Sequence, residues 1–139
     1  MTWIIYALGA ISAVAVSDLF RKLGSNLKDP FLTNLIFQIG SITTAVTMYL
    51  LFSRRWEGNS KGVIYALIGG ILISIFSALS FKALSTGPGV SIVIPVMRVG
   101  GVLLVAILGV LIFKEKMNVM NVIGLVLAAV GVYLLFSGN

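Results

Sequence analysis

The sequence predicts an all-α membrane protein with five transmembrane helices, and three observations support this fold class. Of its 139 residues, 59% are hydrophobic, and only 14 are charged, ten of them basic and four acidic. A soluble domain of this size carries about a quarter charged residues, because its surface must be solvated. The apolar residues also form continuous runs, each close to the roughly 20 residues that a helix needs to cross a bilayer.

Five such runs follow one another along the chain. None has the alternating pattern over about 10 residues that a transmembrane β-strand would have. Pro30 precedes the second run and suits the first turn of a helix. The connections are short, so consecutive helices are expected to be antiparallel neighbours in one domain over residues 1–139. The predicted helices span about residues 3–20, 31–52, 62–84, 90–113 and 119–136.

Several functional classes are disfavoured by composition and motifs. The chain has no Cys and no His, which removes thiolate metal sites, disulfides and the usual general base near neutral pH. It has no HExxH motif and no phosphate-binding loop, so we expect neither an enzyme nor a bound metal or cofactor. The net charge of +6 comes from basic residues at the ends of apolar runs, which is typical of lipid boundaries rather than of nucleic-acid binding.

The basic residues divide almost evenly between the two predicted sides of the membrane, five against four. The positive-inside rule needs a clear bias to fix an orientation. Two interpretations remain open: the chain inserts both ways up and pairs as an antiparallel dimer, or one orientation is selected despite the weak bias. The five residues on the side of the N-terminus are Arg54, Arg55, Lys61, Lys114 and Lys116, and the four opposite are Arg21, Lys22, Lys28 and Lys82.

Arg98 is the most informative charged residue, because it lies about eight residues inside the fourth predicted helix. An uncompensated Arg at mid-helix costs at least about 2.5 kcal/mol on insertion scales, so it normally faces a polar cavity or a partner. Pro95 removes one helical hydrogen bond close to it. One interpretation is an Arg98–Pro95 centre that binds an anionic group. The other is that Arg98 snorkels to the interface or pairs with an acid.

Asp18, Tyr6 and Tyr65 are secondary candidates for a binding site. Asp18 lies near the end of the first predicted helix and is either a proton-coupling carboxylate or the partner of Arg21 or Lys22 at the membrane surface. Tyr6 and Tyr65 lie inside predicted helices, where they line a cavity or pack against neighbours. All other charges are expected at helix ends or in connections.

Residues 80–91, with Ala83-Leu84 before a Gly-Pro-Gly turn, lead into a helix that contains Pro95. Glu115 follows that helix, and Gly124 lies in a Gly-rich last helix. In order and spacing, this pattern resembles the EamA-like domain of the drug/metabolite transporter superfamily. The resemblance covers nearly the whole chain.

The resemblance implies a transporter of a small metabolite or drug that works by alternating access in a prokaryotic inner membrane. Most members have ten helices in two inverted repeats, so a single repeat implies a partner: a second copy in an antiparallel homodimer, or a paralogous half-transporter. The cavity would be lined by the first, third and fourth helices. The superfamily's small multidrug transporters use a Glu deep in the first helix, which this chain lacks. Alternatives are a non-transporting accessory subunit or a component of a lipid-linked sugar flippase.

Overall fold

The computed structural model describes residues 2–53 and 59–137, and the regular structure in these two stretches is helical. Each helix is long and apolar enough to cross a membrane, which confirms the predicted fold class. Arg54 and Arg55, which enter the count of basic residues by side, lie outside the described residues. The helices are α1 (Thr2–Gly24), α2 (Pro30–Phe52), α3 (Ser60–Thr86), α4 (Val90–Phe113) and α5 (Val119–Ser137).

The main difference from the predicted bounds is at the end of α1, which continues four residues beyond the expected end at residue 20. Helices commonly end at a Gly, and here Gly24 is the last residue. The Ser25 N–H donates to the Arg21 carbonyl at 2.9 Å, so the last turn closes there. The expectation that Arg21 lies in a connection was therefore wrong: it belongs to the last turns of α1, and its side chain is buried.

The turn between α1 and α2 is tightly packed. The Phe31 N–H donates to Asp29 Oδ1 at 2.8 Å, so Asp29 caps α2, and Pro30 occupies the first turn as the sequence indicated. A Cβ at Gly24 would lie 3.3 Å from Thr33 Cγ2. A larger residue at position 24 would therefore require the Thr33 side chain to shift by a few tenths of an ångström.

The residues up to Thr86 form one compact unit, in which α3 packs against both α1 and α2. Among the described residues, Phe81 and Leu84 are the fully buried hydrophobic side chains, and both lie near the end of α3. Nearly all of residues 3–16 of α1 are exposed, with Ala7 partly buried. The packing of α1 is therefore concentrated at its C-terminal end.

The residues from Gly87 onward form a second compact unit, in which α4 packs against α5. The groove between these two helices encloses about 390 Å³ and is lined by apolar residues alone. Lys114 caps the end of α4: its backbone adopts the left-handed conformation (φ 52°) and its N–H donates to the Gly109 carbonyl. This turn brings the Glu115 carboxylate back against Gly109, where a Cβ would lie 3.0 Å from Glu115 Oε2.

Candidate functional site

A cluster of polar and aromatic side chains, buried except for the partly exposed Phe37 and Phe76, joins α1, α2 and α3. We call it the Arg21 cluster: Asp18, Arg21, Phe37, Phe76, Ser77 and Phe81. Arg21 Nη2 donates to Ser77 Oγ at 2.6 Å, and Arg21 Nη1 lies 3.7 Å from Asp18 Oδ1. Arg21 and Asp18 are only 6% and 5% exposed. A charged pair buried this far from water is normally held by such contacts, because an isolated ion there would be costly.

Three aromatic rings surround the Arg21 guanidinium. Its central carbon lies 4.6 Å from the ring centre of Phe37, 5.5 Å from that of Phe81 and 5.9 Å from that of Phe76. Phe37 and Phe81 also meet edge to face, with ring centres 5.6 Å apart. A cation over ring faces within about 6 Å is attracted by their negative centres, most strongly where water is excluded. Arg21 therefore connects all three helices of the first unit.

Lys22, the next residue, makes a second cationic contact between α1 and α3. Its Nζ donates to the Leu84 carbonyl at 2.9 Å, in the last turn of α3. The final carbonyls of a helix have no partner within the helix, and a Lys nearby both satisfies them and complements the helix dipole. Together, Arg21 and Lys22 close the first unit at this end.

Asp18 was left open between a coupling carboxylate and an ion-pair partner. The structure shows the pair: Asp18 lies one helical turn before Arg21 and contacts it. Both side chains are buried against neighbouring helices, and the predicted position of the pair at the membrane surface remains a prediction. Asp18 therefore has a structural contact with Arg21, and a role of its carboxylate in proton coupling remains a prediction.

Tyr6 and Tyr65 lie far from the Arg21 cluster. At 1.5 Å per residue, Tyr6 is about 22 Å from Arg21 along α1, and Tyr65 is about 18 Å from Ser77 along α3. The two side chains are 79% and 72% exposed. Of the three predicted site residues in the first unit, only Asp18 therefore belongs to the Arg21 cluster.

Pro95 and Arg98 belong to the second unit, and both are partly buried. α4 continues through Pro95, which lacks the N–H that would donate to the Ser91 carbonyl one turn earlier. Arg98 follows within one turn. The predicted pair thus shares one turn of α4, and its binding role remains a prediction.

A cavity whose largely apolar walls carry three polar side chains lies between α2 and α3, further from the α1–α2 turn. We call it the Gln38 cleft: Gln38, Ser41 and Ala45 on α2, and Ala66, Gly70 and Ser74 on α3. Apolar side chains complete its walls, and the cavity has a volume of about 550 Å³. No hydrogen bond joins the Gln38, Ser41 or Ser74 side chain to another described residue. The sequence prediction did not include α2 among the helices that line a cavity.

Two local sequence patterns would have indicated the Arg21 cluster and the Gln38 cleft. Gly24, followed by Ser25 and Asn26, is a stop pattern that places Arg21 inside α1. Gln38 interrupts an otherwise apolar stretch of α2, and polar residues inside transmembrane segments commonly mark functional positions.

Small residues recur at helical spacing in α1, α3 and α5, but the glycines among them are not close helix contacts within the described residues. A Cβ built at Gly9, Gly70, Gly124 or Gly131 meets no atom within 4 Å.

No group of three or more acidic side chains that could hold a metal ion occurs among the described residues.

Comparison with known proteins identifies the family. Residues 1–137 match the EamA-like transporter family. The uncharacterized protein MJ1333.1 of Methanocaldococcus jannaschii is 31% identical over 134 residues, which cover 95% of this chain and 96% of that protein. The two chains are therefore nearly equal in length. No solved structure was found to match. With a family match over almost every residue and five membrane-spanning helices, the chain is an integral membrane protein that belongs to the EamA-like transporter family.

Proposed function

We propose that the chain is one half of a transporter that moves a small metabolite or drug across a prokaryotic cell membrane by alternating access. The observation that carries the proposal is the family match over residues 1–137, which spans all five apolar helices. The connections are too short to hold a domain outside the membrane. Any activity of the described chain therefore belongs to groups inside or at the edge of the bilayer, and we propose transport rather than catalysis.

The asymmetry of the first unit supports this mechanism. The Arg21 cluster and the Lys22–Leu84 contact hold α1 against α3 at one end, whereas nearly all of residues 3–16 of α1 are exposed. Alternating access requires helices that stay joined on one side of a site while they separate on the other. A unit that is closed at one end and exposed at the other is suited to such movement.

We further propose that two chains make one transporter. In inverted-repeat transporters, the site lies between two repeats of opposite orientation. This chain supplies five helices, and its relative in M. jannaschii is of nearly the same length. An antiparallel homodimer accounts for the even division of basic residues between the two sides. A paralogous half-transporter is the other possible partner.

Within this proposal, Arg98 and Pro95 lie at the centre of the binding site. Arg98 is a partly buried cation inside an apolar helix, and the Ser91 carbonyl lacks the Pro95 N–H. Such a turn offers a cation and a carbonyl to an anionic or zwitterionic solute. Asp18, Tyr6 and Tyr65 are secondary positions.

Uptake by the purified chain in liposomes tests the proposal. Vesicles with protein should take up at least one of a panel of sugars, amino acids, organic anions and cationic drugs faster than empty vesicles do. A folded dimer that moves none of them would contradict the transporter role and favour an accessory subunit.

The role of Arg98 is tested in the same vesicles. Arg98→Ala should abolish uptake while expression and dimer formation persist, and Lys82→Ala, an exposed cation on α3, serves as the control. Normal uptake by Arg98→Ala would make Arg98 a structural residue.

A further inference from the structure

We infer that the Gln38 cleft binds the uncharged polar part of a solute, an amide or a hydroxyl group, and that α2 therefore contributes to the binding surface. This inference rests on the proposed function and gives it a substrate class. The cleft has a volume of about 550 Å³, within the 300–1,000 Å³ typical of small-molecule sites.

The polar side chains that line the cleft have donors and acceptors without described partners. Gln38 offers two N–H donors and a carbonyl acceptor, and the Ser41 and Ser74 hydroxyls each offer both functions. None of the three side chains has a hydrogen-bond partner among the described residues. Inside a bilayer, a polar group without a partner costs several kcal/mol, because lipid supplies no hydrogen bonds.

The hydroxyl groups along α2 differ in their hydrogen bonding. The hydroxyls of Thr43, Thr44 and Thr47 all donate to the carbonyl four residues earlier, at 2.8–2.9 Å. These Thr side chains are thus satisfied within their own helix. The Ser41 hydroxyl, which lies in the cleft, makes no such bond to a described residue.

Asn34 extends the same face of α2 by one turn. At 100° per residue, Asn34, Gln38, Ser41 and Ala45 lie within about 60° of one another in projection. The Asn34 side-chain oxygen is buried and has no hydrogen-bond partner among the described residues. Polar side chains without a described hydrogen-bond partner therefore occur at two successive turns of α2, at Asn34 and at Gln38.

The chemistry of the walls selects the ligand. No charged residue lines the cleft, and small residues on both helices leave its space open. An ion would enter without a counter-charge, at high desolvation cost. A neutral amide or hydroxyl group, in contrast, matches the mixed donors and acceptors of Gln38 and the two serines.

The chain contains no Cys, which allows a direct test of access to the cleft. We would introduce Ser74→Cys or Ser41→Cys and measure the reaction with a charged, membrane-impermeant methanethiosulfonate reagent in vesicles opened to both sides. Thr43→Cys is the matched control, because Thr43 lies at nearly the depth of Ser41 but about 160° around α2. Since only the hydrated thiolate reacts, both cleft variants should react about tenfold faster than the control.

Protection by solutes then tests the ligand class. D-glucose, N-acetyl-D-glucosamine and nicotinamide represent uncharged hydroxyl- and amide-bearing solutes, and acetate and tetramethylammonium are charged comparators. At least one uncharged solute should slow the reaction of Ser74→Cys about threefold or more, as binding at twice its Kd would. The comparators should not. In a Ser74→Cys/Gln38→Leu variant, protection should disappear.

Three outcomes would overturn the inference. Equal reaction rates at Ser74→Cys and Thr43→Cys would mean that lipid or a second copy of the chain covers the cleft. Rapid reaction without protection by any of the three uncharged solutes, or with protection only by the charged comparators, would contradict the ligand class. Protection in vesicles that show no uptake would retain the binding site and reject the transporter role, so the two proposals fail separately.

Discussion

The Arg21 cluster and the Gln38 cleft lie in the same three-helix unit and are both polar, but they differ in how their polar groups are satisfied. Arg21 donates to Ser77, contacts Asp18 and lies against three rings. The Gln38, Ser41 and Ser74 side chains make no hydrogen bond to a described residue. In lipid, where burial of apolar surface gives no driving force between helices, interhelical polar contacts add to packing in fixing how helices meet. Polar groups left without partners are instead available to a ligand.

The largest effect is expected at Arg21. Arg21→Met keeps a long apolar side chain but removes the buried cation that contacts Asp18, Ser77 and three rings, so unfolding in detergent should become easier by about 3 kcal/mol. Adding Asp18→Asn should restore part of the loss, because a buried negative charge is then removed together with the positive one. If Arg21→Met is as stable as the unaltered chain, the Arg21 cluster does not stabilise the fold.

A smaller loss is expected when the hydrogen-bond acceptor of Arg21 is removed. Ser77→Ala leaves the guanidinium without its 2.6 Å bond, and bonds to charged groups contribute about 1.5–3 kcal/mol. Thermal unfolding of the purified variant gives the value. Ser85→Ala, which removes an exposed hydroxyl on the same helix, should change stability by less than about 0.5 kcal/mol. Equal losses in the two variants would show that Ser77 does not support Arg21.

The smallest change in stability is expected in the cleft. Gln38→Leu replaces a partly buried polar side chain that has no described partner with an apolar one of similar size. Its unfolding free energy should stay within about 0.5 kcal/mol of the original or rise, because no hydrogen bond is lost. A loss comparable to that of Ser77→Ala would mean that Gln38 supports the fold.

The sequence was a better guide to the spans than to the polar regions. Helix α4 begins and ends where the apolar run predicts, since hydropathy decides where a helix can lie in lipid. Arg21 was misplaced because a charge at the end of an apolar run normally belongs to the boundary. Only the contacts from α2 and α3 show that it is buried. The sequence shows Gln38 as a polar residue inside an apolar run, but a single sequence does not show which residues of α3 lie opposite it.

The most direct test of the account measures stability and solute protection on Arg21→Met and Gln38→Leu in parallel, each in the Ser74→Cys background. The account predicts that Arg21→Met lowers the unfolding free energy by about 3 kcal/mol. It predicts that Gln38→Leu keeps its stability but loses protection by the uncharged solutes. If instead Gln38→Leu lowers stability as much as Arg21→Met does, or keeps full protection, the division between a structural cluster and a binding cleft is contradicted.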